Sequence, residues 1–257
     1  MTGAGGNPGE PTHRAWVGPS ERYDLMAAAQ FSLLTHLGLR EEHALLDVGC
    51  GSLRGGRLFI PYLLPGRYFG IEPERDVLEA GIREEVGRDQ IELKRPMFSH
   101  VDDFRLTVFD RRFDFILAQS IFSHASRAQI EFCLAQAAEA LEPGGALVAT
   151  FLEGQEDYAG DTWVYPDCIP YRHATIRELV SAAGLTFADV DWPHPNQQRW
   201  FVAGRSGGYA LANARHVGGY VGLRDRLAAS EAALARIGRH PAYRAWRGAR
   251  RLFRRSR

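Results

Sequence analysis

Residues 45–56 read LLDVGCGSLRGG, and this stretch decides the fold. The leucines and the valine predict a short buried strand, and the glycines that follow predict a sharp turn into a helix. Gly49 and Gly51 lack a Cβ where the backbone has to bend and approach a ligand closely. The next helix would present free N–H groups and a partial positive charge. The pattern therefore predicts a turn that binds an adenosine-like ligand.

The spacing of the acid and the glycines separates two classes of ligand. A dinucleotide fingerprint requires G-x-G-x-x-G, and its third glycine would fall on Arg54. The chain instead has Asp47 two residues before Gly49, then Gly51 and Gly55. This arrangement resembles the first motif of class I S-adenosylmethionine (SAM) methyltransferases. Asp47 could then hold the ammonium of SAM, directly or through water, while the glycines make room for its carboxylate and sulfur.

A second short apolar stretch also ends in an acid. Residues 68–73 read YFGIEP, and Glu72 stands about twenty residues after the glycine turn, where an acid can accept hydrogen bonds from both ribose hydroxyls. Pro73 prevents this strand from continuing as a central ladder. A solvated charge is the alternative for an isolated strand-end glutamate. After this turn, we expect Glu72 to bind the ribose.

Residues 101–104 read VDDF and resemble the loop with which a methyltransferase holds adenine. An acid there can accept from the exocyclic amine, and Phe104 can pack on the ring. Asp102 aligns best with the family pattern, and Asp103 is the alternative.

Two more segments extend the resemblance to five ordered features. Residues 113–120 read FDFILAQS and resemble the fourth strand with its functional end, which makes Gln119 a candidate cofactor contact. Residues 141–151 read LEPGGALVATF and resemble the L-x-P-G-G turn that leads into the fifth strand. The resemblance covers about residues 20–205 and implies SAM as the cofactor.

The order of these features predicts an α/β fold, because helices and strands alternate as a doubly wound parallel sheet requires. The family implies a Rossmann-like seven-stranded sheet, and a helical extension follows at the C-terminus. The strands are expected at residues 44–48, 67–71, 97–101, 113–119, 146–151, 187–191 and 198–204. The helices are expected at residues 21–37, 54–64, 76–87, 127–141, 173–184 and 221–238. The first of these helices is often a lid over SAM in the family, and Gln30 on it could touch the ligand.

Composition narrows the class of protein. The chain has 257 residues, 45% of them hydrophobic, which suits one substantial α/β domain with an appendage. A formal net charge of zero argues against general affinity for nucleic acid. Three widely spaced cysteines form neither a disulfide framework nor a metal pattern, so no metal site is predicted. No signal peptide or membrane-spanning run is recognised, so a cytoplasmic protein is expected.

The chain divides into four predicted regions. Residues 1–18 are expected to be disordered, residues 19–205 to form the methyltransferase domain, and residues 206–238 to form the helical extension. Residues 239–257 hold eight arginines and no acid, with Trp246 and Phe253 on one helical stripe. Such a tail can lie on an anionic membrane surface as a basic amphipathic helix. The alternative is an arginine-biased terminus, since Lys94 is the only lysine of the chain.

Two histidines are candidate general bases, because an alcohol acceptor has to lose its proton during methyl transfer. His124 follows the fourth strand, at the edge where ligands bind in this fold. Its alternative role is structural, as a cap for the helix that begins near Ser126. His194 lies in a second polar loop and is a candidate if that loop meets the site.

Aromatic residues with polar neighbours follow the fifth strand, where the family places acceptor-binding insertions. Trp163, Tyr165 and Tyr171 are predicted to contact the acceptor, because stacked aromatics beside hydrogen-bonding groups suit a sugar or another polyhydroxylated ring. An ordinary surface loop is the alternative.

These features predict O-methylation of a small molecule, a glycan or a lipid-linked acceptor. A non-catalytic SAM-binding scaffold with a membrane-associating tail is the main alternative, and Arg54 opposes a nicotinamide-dependent oxidoreductase. Residues 118–121 read AQSI instead of the Asn/Asp-Pro-Pro-aromatic tetrapeptide of amine-directed nucleic-acid methyltransferases. No specific nucleic-acid partner is therefore expected, and the sequence predicts no oligomeric state.

Overall fold

The computed structural model describes residues 12–218 continuously and, after them, residues 227, 229–230, 232–236 and 239. The chain divides into two compact units, Met1–Val217 and Gly218–Arg257. Apart from Gly218, the described residues of the second unit are helical, and its Leu227 and Leu234 side chains are exposed. The predicted basic tail at 239–257 lies outside the described residues, apart from residue 239. No helix among the described residues is long and apolar enough to cross a membrane.

One mixed sheet forms the centre of the first unit. Its strands are β1 (Leu45–Val48), β2 (Tyr68–Ile71), β3 (Met97–Ser99), β4 (Phe113–Ala118), β5 (Leu141–Glu153), β6 (Pro170–Tyr171), β7 (Thr186–Val190) and β8 (Arg199–Gly204). Seven strands lie in the order β3-β2-β1-β4-β5-β8-β7, and the two-residue β6 pairs with the end of β5. Strands β1 to β5 are parallel, whereas β8 is antiparallel to both β5 and β7. The predicted seven-stranded, doubly wound sheet is confirmed.

Helices cover both faces of this sheet. They are α1 (Thr12–Ala15), α2 (Tyr23–Leu37), α3 (Gly56–Tyr62), α4 (Arg75–Gly81), α5 (Arg88–Lys94), α6 (Arg127–Ala140), α7 (His173–Ala182) and α8 (Tyr209–Ala214). One core cluster contains buried side chains of α6 and α7, and the other contains those of α2, α3 and α8. Ser126 and Gln129 form a capping box that starts α6.

The register of the parallel strands brings the predicted motifs together. Asp47 pairs with Gly70 of β2 and with Leu117 of β4, so β1 ends beside both neighbours. Because the carboxyl ends of parallel strands lie at one edge, the glycine turn after β1, Glu72 after β2 and Gln119 after β4 meet there.

Two local predictions were wrong. The helix expected at 76–87 ends earlier, at Gly81, passes through a π-helical turn at Ile82–Val86, and is followed by α5, which was not predicted. Strand β5 begins at Leu141 instead of residue 146, because Leu141 pairs with Phe113 across a register shift.

Residues 12–18, called the N-terminal segment below, are ordered, contrary to the expected disorder. Arg14 donates to Glu85 from Nε at 2.6 Å and from Nη2 at 3.0 Å, and the imidazole of His13 lies 2.8 Å from the same carboxylate. The Glu85 side chain is only 4% exposed. This buried ion pair holds the N-terminal segment against the domain.

Candidate active site

A cavity of about 480 Å³ opens at the carboxyl ends of β1, β2 and β4. This volume suits a small-molecule ligand. The charged and aromatic residues that line it are Trp16, Asp47, Arg54, Glu72, Glu74, Asp102, Phe104, His124, Trp163 and Tyr165. The predicted cofactor contacts Gly49, Gly51 and Gln119 line it as well.

The glycine turn forms the floor of this cavity. Gly49 and Gly51 have φ values of +67° and +56°, in the left-handed region that favours glycine. A Cβ on Gly49 would lie 2.3 Å from Ile121 Cδ1, and a Cβ on Gly51 would lie 2.4 Å from Val17 Cγ1. Both positions therefore require glycine for the backbone conformation and for space.

Asp47 lies buried beside the turn, with 5% of its surface exposed. The Tyr68 hydroxyl donates to Asp47 Oδ2 at 2.8 Å. Burial raises the pKa of the Asp47 carboxyl to about 7, although the bond from Tyr68 and the charge of Arg54 favour the ionised form. A cation that binds beside Asp47 would stabilise the carboxylate.

Glu72 supports the glycine turn from the end of β2. Its Oε2 accepts from the Gly51 N–H at 2.9 Å, and its Oε1 accepts from the Glu74 N–H at 2.9 Å. Burial raises the pKa of Glu72, and these two backbone donors oppose the rise. Each carboxylate oxygen can accept a further bond, so Glu72 can hold the turn and still bind ligand hydroxyls.

The two candidates for the adenine contact are separated by their positions. Asp102 lines the cavity together with Phe104. Asp103 is exposed outside the lining, where its carboxylate accepts from Arg105 Nε at 2.6 Å. The structure therefore favours Asp102 over Asp103 as the acid for the adenine amine, and this contact remains a prediction.

Gln119 is the centre of a buried polar cluster. Its Oε1 accepts from Gln30 Nε2 at 2.7 Å and also from Arg54 Nη2. Arg54 Nη1 donates to the Val17 carbonyl at 2.5 Å. The sequence analysis noted Arg54 only because it stands where a dinucleotide fingerprint has its third glycine. No local pattern indicated that Arg54 lies in the cavity wall.

His124 lines the cavity together with two aromatic side chains. Its ring centroid lies 5.4 Å from that of Trp163 and 5.1 Å from that of Tyr165. His124 Nδ1 lies 2.7 Å from the Asp167 carbonyl oxygen, which can only accept, so Nδ1 carries the proton. Burial lowers the pKa of His124, and the neutral ring keeps a lone pair on Nε2.

Two predicted site residues do not face the cavity. His194 is outside the lining, its Nδ1 lies 3.2 Å from the backbone nitrogens of Asn196 and Gln198, and its Nε2 lies 3.0 Å from Gln119 Nε2. Burial lowers the pKa of His194 to about 3. Since both ring nitrogens have protein neighbours, the expectation that His194 is a base at the acceptor is wrong.

Tyr171 is likewise a core residue. It is fully buried in the short strand β6, and its hydroxyl donates to the Ala125 carbonyl at 2.9 Å. The predicted acceptor contact is therefore wrong for Tyr171. Trp163 and Tyr165 do line the cavity, and each is 41% exposed.

The N-terminal segment adds cavity residues that the sequence did not indicate. Trp16 and Val17 line the cavity, and the Tyr165 hydroxyl donates to the Trp16 carbonyl. The Trp16 and Tyr165 ring centroids are 6.4 Å apart. The glycine-rich composition of the first residues concealed this contact.

A family model described as a methyltransferase domain matches residues 46–147, which include the glycine turn, Glu72, Asp102 and Gln119. This part of the chain therefore matches a methyltransferase domain, and the sheet has the class I methyltransferase fold. The matched residues also span strands β1 to β4 and the start of β5, so the motif order and the parallel sheet belong to one domain.

Solved structures share the fold of this methyltransferase domain. DesVI from Streptomyces venezuelae has 19% identity and a TM-score of 0.55, with 74% of this chain and 95% of DesVI covered. The magnesium protoporphyrin IX methyltransferase ChlM from Synechocystis PCC 6803, solved with bound S-adenosylhomocysteine (SAH), has 13% identity and a TM-score of 0.58, with 78% and 90% covered. The sugar N-methyltransferase KedS8 from a Streptoalloteichus species has 18% identity and a TM-score of 0.54, with 80% and 96% covered.

SAM is the cofactor that the sequence motifs imply, and the ChlM enzyme of the same fold was solved with bound SAH and with bound SAM. The residues present fit it, because the glycine turn leaves free a space that Cβ atoms would fill, and acids stand at the ends of β1 and β2. Asp47 would hold the ammonium, Glu72 the ribose hydroxyls and Asp102 the adenine amine. When bound, SAM supplies an electrophilic methyl group on a sulfonium.

The elevated pKa of Asp47 predicts that cofactor affinity depends on pH. The ligand ammonium requires the ionised carboxylate, and below about pH 7 the free protein holds a proton there. The affinity for SAH should therefore fall up to about tenfold for each pH unit below 7 and level off above it. Calorimetric titrations between about pH 8 and about pH 5.5 measure this slope. Asp47→Asn should bind weakly with a flatter profile, and a flat wild-type profile would contradict the role of Asp47.

Proposed function

We propose that this methyltransferase transfers a methyl group to a hydroxyl of an uncharged ring-shaped acceptor, such as a small molecule or a glycan. The observation that carries the proposal is the setting of His124. Its Nδ1 is held by the Asp167 carbonyl, and its Nε2 lone pair belongs to a neutral ring between two exposed aromatic side chains. That combination supplies a base where an acceptor ring can stack.

The chain contributes mainly position and proton transfer. Trp163 and Tyr165 would hold the acceptor ring, and Phe104, whose ring centroid is 6.1 Å from that of Trp163, continues the aromatic wall. His124 Nε2 would receive the hydroxyl proton as the acceptor oxygen attacks. Holding the reactants in line would account for much of the acceleration.

The charges around the cavity support an uncharged acceptor. Among the described residues that line it there are four acids, Asp47, Glu72, Glu74 and Asp102, and one arginine, Arg54. A phosphorylated or carboxylated acceptor would meet these acids without a free arginine or lysine to bind it.

A matched panel of acceptors tests the proposal. SAH formation is measured with a neutral phenol or glycoside, its phosphorylated counterpart and the corresponding amine. We expect turnover with the neutral hydroxyl and little with the phosphorylated form. The amine belongs in the panel because two structural neighbours are named as N-methyltransferases, of a glycopeptide and of a sugar. Turnover of the amine alone would contradict O-methylation.

A further inference from the structure

Two buried polar atoms in the cavity wall have no hydrogen-bond partner among the described residues. They are Gln30 Oε1 and Arg54 Nε, and both residues line the cavity. The other two such atoms, on Arg57 and Gln90, belong to residues outside the lining. Buried polar groups in native proteins almost always have a partner. An unpaired acceptor and an unpaired donor in one wall therefore indicate a ligand that supplies both partners.

The polar cluster fixes which atom is free on each side chain. A guanidinium can only donate, so Gln119 has to present Oε1 to Arg54 Nη2. Gln30 donates Nε2 to that same oxygen at 2.7 Å. The Gln30 side-chain atom without a hydrogen-bond partner is thus the carbonyl oxygen, an acceptor. The Arg54 atom without a partner is Nε, whose N–H is a donor.

Arg54 also carries a partly buried charge without an ion pair among the described residues. Its two terminal nitrogens donate to neutral oxygens, of Val17 and of Gln119. Burial lowers the pKa of Arg54 to about 10, so the side chain remains charged near pH 7. Removing part of a cation's surface from water is unfavourable unless an anion approaches it. The ligand that completes this wall should therefore carry a negative group for Arg54.

The backbone leaves room beside the unpaired acceptor. A Cβ on Gly55 would lie 2.6 Å from Gln30 Oε1, so glycine is the residue that leaves this oxygen its space. Asp47 lines the same cavity and interacts electrostatically with Arg54. The wall thus combines a donor with positive charge, a neutral acceptor and a carboxylate, which complements a zwitterion.

We propose that Arg54 and Gln30 bind the amino acid end of the cofactor. Arg54 donates from Nε to the carboxylate, and Gln30 Oε1 accepts from the ammonium, together with Asp47. This assignment rests on SAM as the cofactor and does not depend on the acceptor proposed above.

Two ligands that differ only at this end test the assignment. SAH carries the amino acid, whereas 5′-methylthioadenosine has the same adenosine and sulfur with a methyl group in its place. In calorimetric titrations, Arg54→Gln should weaken SAH binding about tenfold or more, since it removes a charge-assisted hydrogen bond. Its affinity for 5′-methylthioadenosine should stay within about twofold of wild type, which also shows that the cavity is intact.

Two controls test whether the effect is specific to Arg54 and to the ligand carboxylate. Arg127→Gln removes an exposed arginine that pairs with Glu131 outside the cavity, and it should leave both affinities unchanged. Decarboxylated SAH should bind wild type and Arg54→Gln equally, because the group that Arg54 recognises is gone.

Three results would overturn the assignment. Unchanged SAH affinity in Arg54→Gln would mean that the carboxylate lies elsewhere. Equal losses for SAH and 5′-methylthioadenosine would mean that Arg54 only shapes the wall. Failure of wild type to bind either ligand would contradict the cofactor itself, and this result is distinct from the other two.

Discussion

His124→Asn is expected to lower kcat by about 10²- to 10⁴-fold, the usual contribution of a general base. The asparagine amide can still donate to the Asp167 carbonyl, as His124 Nδ1 does, but it has no basic nitrogen to replace Nε2. SAH affinity should change little, because the predicted cofactor contacts are other residues. Initial rates of SAH formation with the best acceptor of the panel, together with SAH titrations, measure both effects.

The pH profile separates a base from a structural histidine at this position. In wild type at saturating SAM, kcat/KM for the acceptor should fall at low pH as His124 becomes protonated, with a midpoint below the ordinary histidine pKa because burial lowers it. This fall of kcat/KM at low pH should be absent in His124→Asn. His173→Gln is the matched control, since His173 pairs with Asp189 outside the cavity lining. Wild-type turnover in His124→Asn would leave His124 with a structural role only.

Gly49→Ala is expected to abolish measurable SAH binding and to destabilise the domain by about 2–5 kcal/mol. About 1–2 kcal/mol comes from holding alanine in the left-handed region, and about 1–3 kcal/mol comes from overpacking against Ile121. Because Ile121 lines the cavity, any movement that relieves the clash also changes the site. Denaturant unfolding gives the stability, and calorimetry gives the affinity.

Gly66→Ala is the matched control for backbone strain. Gly66 has a similar φ of +73°, yet a Cβ there would meet nothing within 4 Å. Gly66→Ala should lower the free energy of unfolding by only the backbone strain, about 1–2 kcal/mol, and should leave SAH binding unchanged. Equal losses in the two variants would show that the space at Gly49 is unimportant.

The central sheet could be predicted because short stretches of sequence indicate each of its strands. Each of β1, β2 and β4 is a short apolar run, and each is followed by a polar residue or a glycine turn. Parallel pairing then brings Asp47, Glu72 and Gln119 to one edge without any further knowledge of side-chain packing. Their presence around the cavity follows from strand order alone, whereas their contacts with SAM remain predictions.

The errors concern contacts between distant parts of the chain. The ion pair of Arg14 with Glu85 joins residues 71 positions apart, and nothing near residue 14 in the sequence indicates it. Tyr171 and Trp163 lie in one polar and aromatic segment, yet one faces the core and the other the cavity. The composition of a loop gives no side-chain direction, because the tertiary partner of each residue decides it.

The N-terminal segment has a consequence for the rate of the catalytic cycle. Val17 lies against the glycine turn, and Trp16 meets Tyr165, so this short stretch touches both the donor and the acceptor ends of the cavity. If SAH leaves the cavity past this segment, the segment has to move aside, and turnover then becomes sensitive to solvent viscosity. Trp16, 45% exposed, would then serve as an intrinsic fluorophore that reports each opening.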